Sequence, residues 1–169
     1  MHAATEMVCR FMHQPVIGVA PGASVEEVLA LAREKQVHHI PIVKKGRVLG
    51  LVCTCDLNEA PLTLPALQLA RRNVVTALPS CSAGDAARLM VQNAVGSVLI
   101  SNRDGVWGIV TRKDLAEAGP DLAELLGGSS CAACGAGQHL RPGPGETLLC
   151  VACTERASAS HWYDDGGGD

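Results

Sequence analysis

The sequence predicts an α/β fold: two βαββα units in tandem, followed by a small appendage held by cysteines. Three observations predict it. The stretch Gly108-Ile109-Val110-Thr111-Arg112-Lys113-Asp114-Leu115 reads as a strand running straight into a helix start. The same pattern stands 58 residues earlier as Gly50-Leu51-Val52-Cys53-Thr54-Cys55-Asp56-Leu57. Two Cys-x-x-Cys pairs, Cys131/Cys134 and Cys150/Cys153, come after the second copy.

The first observation rests on local chemistry. Val106 to Val110 is an apolar run broken by one glycine, as in a buried strand with a close backbone approach. Thr111-x-x-Asp114 then has the spacing of a helix cap with a carboxylate in the first turn. Such a corner gathers unpaired N–H groups that suit a phosphate, and Asp114 can accept from two adjacent hydroxyls of a ribose. An ordinary, well-capped strand–helix corner would look the same. The internal repeat sets this one apart, because the offset of 58 holds back through Pro21/Pro79, Ser24/Ser82, Leu31/Leu89 and Val37/Val95.

Composition narrows the class. The 169 residues hold a domain of ordinary size with a small addition. With 47% apolar but only 2% aromatic residues, the core must be Val, Leu, Ile and Ala. A net charge of −3 gives no electrostatic case for nucleic acid. Residues 1–6 lack a secretory start, and 60–70 is too short and proline-broken to span a bilayer. The expectation is a soluble cytoplasmic protein without membrane contact, whose eight cysteines serve something other than disulfides.

In chain order, residues 1–14 form a lead-in with Val8, Phe11 and Met12 spaced for apolar contact. Val16 to Val19 is a short entry strand. Ser24-x-x-Glu27 is a capping box for a helix ending near Lys35. Ile40 to Val43 and Arg47 to Val52 form a hairpin, in which Pro41 demands an edge or a bulge. Residues 58–73 link the copies, and Leu67, Leu69, Arg71 and Arg72 repeat the lead-in. The second copy runs through Val74 to Ala77, a helix opened by Ser82-x-x-Asp85, then strands at Val98 to Ile100 and Val106 to Val110 around Asp104-Gly105. Its last helix fades at Gly119-Pro120, and Asp121 to Leu126 allows one more helical turn.

Two βαββα units, the second followed by Gly-h-h-Thr-x-x-Asp and the first by the same run with Cys53 for Thr, resemble a tandem pair of cystathionine β-synthase (CBS) domains over about residues 8 to 119. The resemblance implies packing about a pseudo-twofold axis, with two clefts for adenine-containing ligands. The divisions expected are repeat 1 over 1–62, repeat 2 over 63–120, a linker 121–130, a zinc ribbon 131–158 and a disordered acidic tail 159–169. The resemblance assigns Thr111 to phosphate or ribose and Asp114 to the ribose hydroxyls. It adds Thr76 and Ser97 to the same cleft, with Arg112, Lys113, Arg71 and Arg72 as cations for phosphate. In the first copy Asp56 is kept, but Cys53 replaces the usual hydroxyl residue, and a thiol is a weak donor and acceptor. His38 and His39 stand where the second copy has Gly96 and Ser97. They narrow that cleft or offer it a pH-sensitive contact. The first site is therefore expected to be the weaker or empty one. A pair that binds nothing and only dimerises is the bland alternative.

Cys131, Cys134, Cys150 and Cys153, with 15 residues between the pairs, have the spacing of a four-thiolate zinc site. Pro142-Gly143-Pro144-Gly145 supplies a turn, and four thiolates leave no open position, so the zinc is structural. Redox dithiols and an iron–sulfur cluster are the rivals. The segment resembles zinc ribbons in general and the C4 finger of the TraR/DnaK-suppressor type. His139 and His161 are surplus to the set, and Cys9 and Cys81 read as small buried hydrophobes.

The functional expectation is a regulatory, non-enzymatic homodimer that senses AMP, ADP, ATP or S-adenosylmethionine and carries a structural zinc ribbon for protein contacts. The alternative makes the ribbon the working end, docking on RNA polymerase or another protein. A thiol-based redox sensor is a third class. With only Arg141 as a cation between Cys131 and Cys153, direct nucleic-acid binding is disfavoured.

Overall fold

The structure is a computed structural model that describes residues 2–127, 131, 140–142, 148–151, 153 and 154. Its elements are α1 (Val25–Lys35), β1 (His39–Lys44), β2 (Arg47–Cys53), β3 (Thr76–Ala77), α2 (Ala83–Gln92), β4 (Ser97–Asn102), β5 (Gly105–Thr111), α3 (Arg112–Ala118), α4 (Pro120–Leu125), β6 (Leu140–Pro142) and β7 (Leu148–Cys150). The βαββα order read from the repeat is present in the second copy and reduced in the first.

Local chemistry explains the starts and stops. The Ser24 hydroxyl accepts from Glu27 N–H while the Glu27 carboxylate accepts from Ser24 N–H, a full capping box on α1. Ser82 caps α2 through its hydroxyl, which accepts from Asp85 N–H. A left-handed residue follows each helix, Gln36 (φ 55°) directly after α1 and Ala94 (φ 51°) two residues after α2, again 58 apart.

The hairpins β1–β2 and β4–β5 are antiparallel with matching registers, His39↔Cys53 and Ser97↔Thr111 at the open ends. Each carries an irregularity one residue after its fourth position, at Ile42/Val43 and Ile100/Ser101. The entry strands differ. Leu99 N–H donates to Val75 O at 3.0 Å, and β3 pairs parallel with β4 over Thr76↔Leu99 and Ala77↔Ile100. At the equivalent of Leu99 the first copy has Pro41, which has no N–H to give. Its entry strand shrinks to one parallel bridge, Val19↔Ile42.

A second difference comes after Thr111. That hydroxyl accepts from Asp114 N–H, the Asp114 carboxylate accepts from Thr111 N–H, and α3 runs for seven residues. Cys53 makes no such side-chain cap bond, and the chain continues as a single 3-10 turn, Thr54–Leu57. The Asp-bearing helix expected in the first copy is thus only a turn, because a thiol is a poor cap.

The lead-ins are exchanged. Residues 3–13 pack on the second copy and 64–71 on the first, through equivalent bonds. Val8 N–H donates to Cys81 O (2.8 Å) and Ala66 N–H to Ala23 O (2.9 Å). Ala83 N–H donates to Glu6 O (2.8 Å) and Val25 N–H to Leu64 O (2.9 Å). Two cores result. Ala3 and Val8 join Ala86, Met90, Ile100, Val110 and Leu115 in one, with Leu122 and Leu126 from the α4 region; Ala66 joins Val28, Ile40, Val52 and Leu57 in the other. Burying a side chain such as Val8 is worth about 1.5–3 kcal/mol, so each lead-in is bound firmly to the opposite copy.

The two glycines of the repeated motif admit this exchange. A Cβ on Gly108 would lie 3.0 Å from His13 O, and one on Gly50 would lie 2.8 Å from Ala70 Cβ and 3.2 Å from Arg71 O. In the C-terminal part, β6 pairs antiparallel with β7 in the register Leu140↔Cys150. The tail 159–169, Cys134, His139 and His161 lie outside the described residues. No helix among the described residues is long and apolar enough to cross a membrane.

Candidate functional site

The exchange of lead-ins builds two unequal clefts between the copies. The larger, about 720 Å³, holds Thr111, Asp114 and Lys113 of the second copy against Gln14, Ile17, His38 and His39 of the first, with Lys35 at its edge. The smaller, about 90 Å³, holds Cys53, Cys55 and Asp56 of the first copy against Arg71, Val75, Gly96 and Ser97 of the second. Each motif aspartate therefore faces the entry segment of the other copy.

Asp114 is held on both oxygens. Its Oδ2 accepts from Thr111 N–H (2.8 Å) and Thr111 Oγ1 (2.7 Å), while Oδ1 lies 2.8 Å from His13 Nε2. The Asp114 side chain is 15% exposed and that of His13 69%. The carboxylate is therefore fixed from below, and its outer oxygen meets only an exposed surface partner. A ligand hydroxyl could replace that partner without disturbing the cap. In the smaller cleft Asp56 Oδ2 lies 3.5 Å from Arg71 Nε.

The structure redistributes the residues singled out in the sequence. Thr111, Asp114, Lys113 and His39 meet in the larger cleft, while Asp56, Ser97 and again His39 line the smaller. The sequence expectation places Ser97 beside Asp114, but the crossing of the copies puts it opposite Asp56, where it is buried. Arg71 moves with it. Thr76 is exposed on β3 and lines neither cleft.

Arg112 is the clearest correction. It is 6% exposed, and its guanidinium donates to Leu126 O just past the end of α4. There it serves the negative end of a helix rather than a phosphate, and burial lowers its pKa from the ordinary arginine value. Successive helix residues point about 100° apart, so Arg112 turns inward where Lys113 turns to the cleft. Arg72 reaches Leu67 O, at 3.5 Å.

Sequence patterning does not single out His13 or Lys35. A signal for His13 is nonetheless present: it and Arg71 are basic residues at the same position of the repeat.

A third constellation lies beside the smaller cleft. Cys131, Cys150 and Cys153 are 1%, 7% and 3% exposed and pack with Leu149, Cys53 and Cys55. The sulfurs of Cys55, Cys150 and Cys153 all lie within 4.8 Å of one another. Three soft thiol donors converging in a buried apolar setting fit a metal such as zinc. Cys9 and Cys81, by contrast, are half-buried rather than fully so. Burial, followed by nearby Asp85, pushes the Cys81 thiol up from its ordinary value.

Known proteins place this geometry. A family model described as "CBS domain" matches residues 8–62 and 66–121. The Bacillus subtilis "CBS domain-containing protein YhcV" is 26% identical over 111 residues, covering 62% of this chain and 79% of that one. Of two further curated relatives the chain spans 34% and 23% of the length. Among solved structures, the CBS domain pair of MJ0100, in complex with 5′-methylthioadenosine and S-adenosyl-L-methionine, is similar at a TM-score of 0.63. It is 23% identical, and the match covers 67% of this chain and 94% of that one. The Pyrobaculum aerophilum CBS domain protein PAE2072, complexed with AMP, is similar at a TM-score of 0.64 and 21% identity, over 71% and 98%. With two matched copies spanning 8–121 and a fold shared with solved CBS pairs, the chain belongs to the CBS domain family.

Proposed function

We propose that this protein is a regulatory, non-enzymatic sensor that binds an adenine nucleotide or adenosyl compound in the cleft of Thr111 and Asp114. The carrying observation is the size and furnishing of that cleft. At about 720 Å³ it falls in the range of small-molecule sites, roughly 300–1,000 Å³, whereas the cleft of Asp56 is about 90 Å³. Its polar groups suit the ligand: the outer oxygen of Asp114 for ribose hydroxyls, Lys113 and Lys35 for phosphate, and Ile17, Val37 and Ile109 as apolar walls for a base. AMP, 5′-methylthioadenosine and S-adenosyl-L-methionine in complexes of similar CBS proteins support this ligand class.

The C-terminal cysteines, Cys131, Cys134, Cys150 and Cys153 the candidates, hold a structural zinc in a ribbon over 131–158. The ribbon offers a surface to a protein partner. The whole assembles as a homodimer, helped by exposed Leu62, Leu78, Val91 and Trp107. A chain that remains monomeric in light scattering, with and without AMP, would contradict that assembly.

Calorimetric titration of the whole chain with AMP, ADP, ATP and S-adenosylmethionine tests the ligand class. Saturable binding of at least one is expected; no heat and no competition from any of the four would overturn the proposal.

A further inference from the structure

We propose that Cys55 is a metal ligand. With Cys150, Cys153 and Cys131 it forms a four-thiolate site that fastens the C-terminal segment onto the first CBS copy. This rests on the reading that the C-terminal cysteines hold zinc, and it changes which four sulfurs do so.

The geometry carries it. Cys55 Sγ lies 3.5 Å from Cys153 Sγ and 3.8 Å from Cys150 Sγ. A tetrahedral zinc with bonds of about 2.3 Å sets its sulfurs about 3.8 Å apart, edge to edge. These separations are those of thiolates around one ion and well beyond the roughly 2.05 Å of a disulfide bond. Cys55 is 95 and 98 residues from its two partners, which are one Cys-x-x-Cys pair, so its approach to that pair is tertiary. Cys131 is buried in the same cluster but falls outside the group of sulfurs mutually within 4.8 Å. Cys131 is a described donor in that cluster for the fourth position.

The peculiarities of the first copy suit such a joint. Cys55 immediately precedes Asp56 and lines the small cleft together with Cys53. The hydroxyl that would cap the helix and meet a phosphate is absent, the helix is reduced to a 3-10 turn, and the residual space is about 90 Å³. A metal bridging Cys55 to Cys150 and Cys153 turns what is a ligand cleft in the other half into a joint. On binding, each thiol releases its proton to solvent and no electron moves.

The test is a zinc titration of the whole chain, stripped of metal under reducing conditions, in competition with a chromophoric chelator. Wild-type protein and a Cys9→Ser control should bind about one zinc per chain, by the stoichiometry of a four-ligand site. Cys55→Ser should weaken zinc by more than about 100-fold, beyond the 10–100-fold that outer-shell partners contribute. Cys55→His, which restores a ligand atom, should recover most of that loss, separating ligation from misfolding. Zinc should also protect the chain beyond residue 127 from protease in the wild type but not in Cys55→Ser. A loss under about 100-fold in Cys55→Ser, with Cys150→Ser losing zinc, overturns this inference and leaves a zinc ribbon standing. A wild-type chain that binds no zinc overturns both. Neither result depends on whether nucleotide binds.

Discussion

His13 and Asp114 stand in the same relation as Arg71 and Asp56: a basic residue of each exchanged lead-in rests on the motif aspartate of the copy it packs against, at 2.8 and 3.5 Å. The two pairs are related by the offset of 58. The lead-in therefore does two things at once, filling a core through Val8 or Ala66 and setting a nitrogen-bearing side chain against the motif aspartate. In the larger cleft the ligand must displace His13 from Asp114 Oδ1, whereas the bonds from Thr111 to Oδ2 can persist.

His13→Ala should accordingly tighten AMP. The contact is exposed, and such pairs contribute about 0.2–1 kcal/mol, so the gain should be no more than about fivefold. Calorimetry on the variant checks it. Weaker binding would mean that His13 is itself a ligand contact rather than a competitor.

Gly108→Ala should loosen the lead-in. The new methyl would sit 2.5 Å from Met12 Sδ, which can move, and 3.0 Å from His13 O, which is backbone and cannot move cheaply. Overpacking of this kind costs about 1–3 kcal/mol, a fall in Tm of roughly 3–10 °C for a chain of this size. Gly22→Ala, with nothing within 4 Å of the added methyl, is the control and should stay near wild type. Equal Tm values for the two would show that the lead-in does not depend on this approach.

Much of this arrangement is legible in the sequence, and the missing part has one origin. Both serine caps and the Thr111–Asp114 box are local patterns, set by side chains within a few residues of one another, and the repeat shows as self-similarity at a fixed offset. Which copy a lead-in packs on is not local. Assigning each lead-in to its own copy puts Ser97 and Arg71 with Asp114, when the exchange puts both with Asp56. Arg112 misleads for a similar reason, because only the position of α4 shows that a carbonyl waits for it. Cys55 reads as part of the nucleotide motif, since its thiol partners come from 95 and 98 residues away.

Acid should act on the seam between the N-terminus and α4. Asp121 Oδ2 accepts from Ala4 N–H at 2.9 Å, and that bond, favouring the carboxylate, lowers the Asp121 pKa. Glu27 is lowered too, by Ser24 N–H first and the Ser24 side chain second. A pKa depressed in the folded state gives stability that is complete above the unfolded value, about 3.9–4.3, and is lost as pH falls through the folded one. Asp121→Asn combined with Glu27→Gln should flatten the decline of Tm below about pH 4. An unchanged acid limb would contradict the assignment.

The central claim is that the two CBS clefts have parted in function, with adenosyl binding kept by the one at Asp114. Its most direct test is calorimetric titration of AMP into the whole chain and into the folded Asp114→Ala and Asp56→Ala variants, each checked by circular dichroism. Hydrogen bonds to a charged group are worth roughly 1.5–3 kcal/mol. Asp114→Ala should therefore weaken AMP about tenfold to a hundredfold or more, while Asp56→Ala should change it less than about threefold. Equal losses from the two variants, or no loss from Asp114→Ala in a protein that binds AMP, would contradict it.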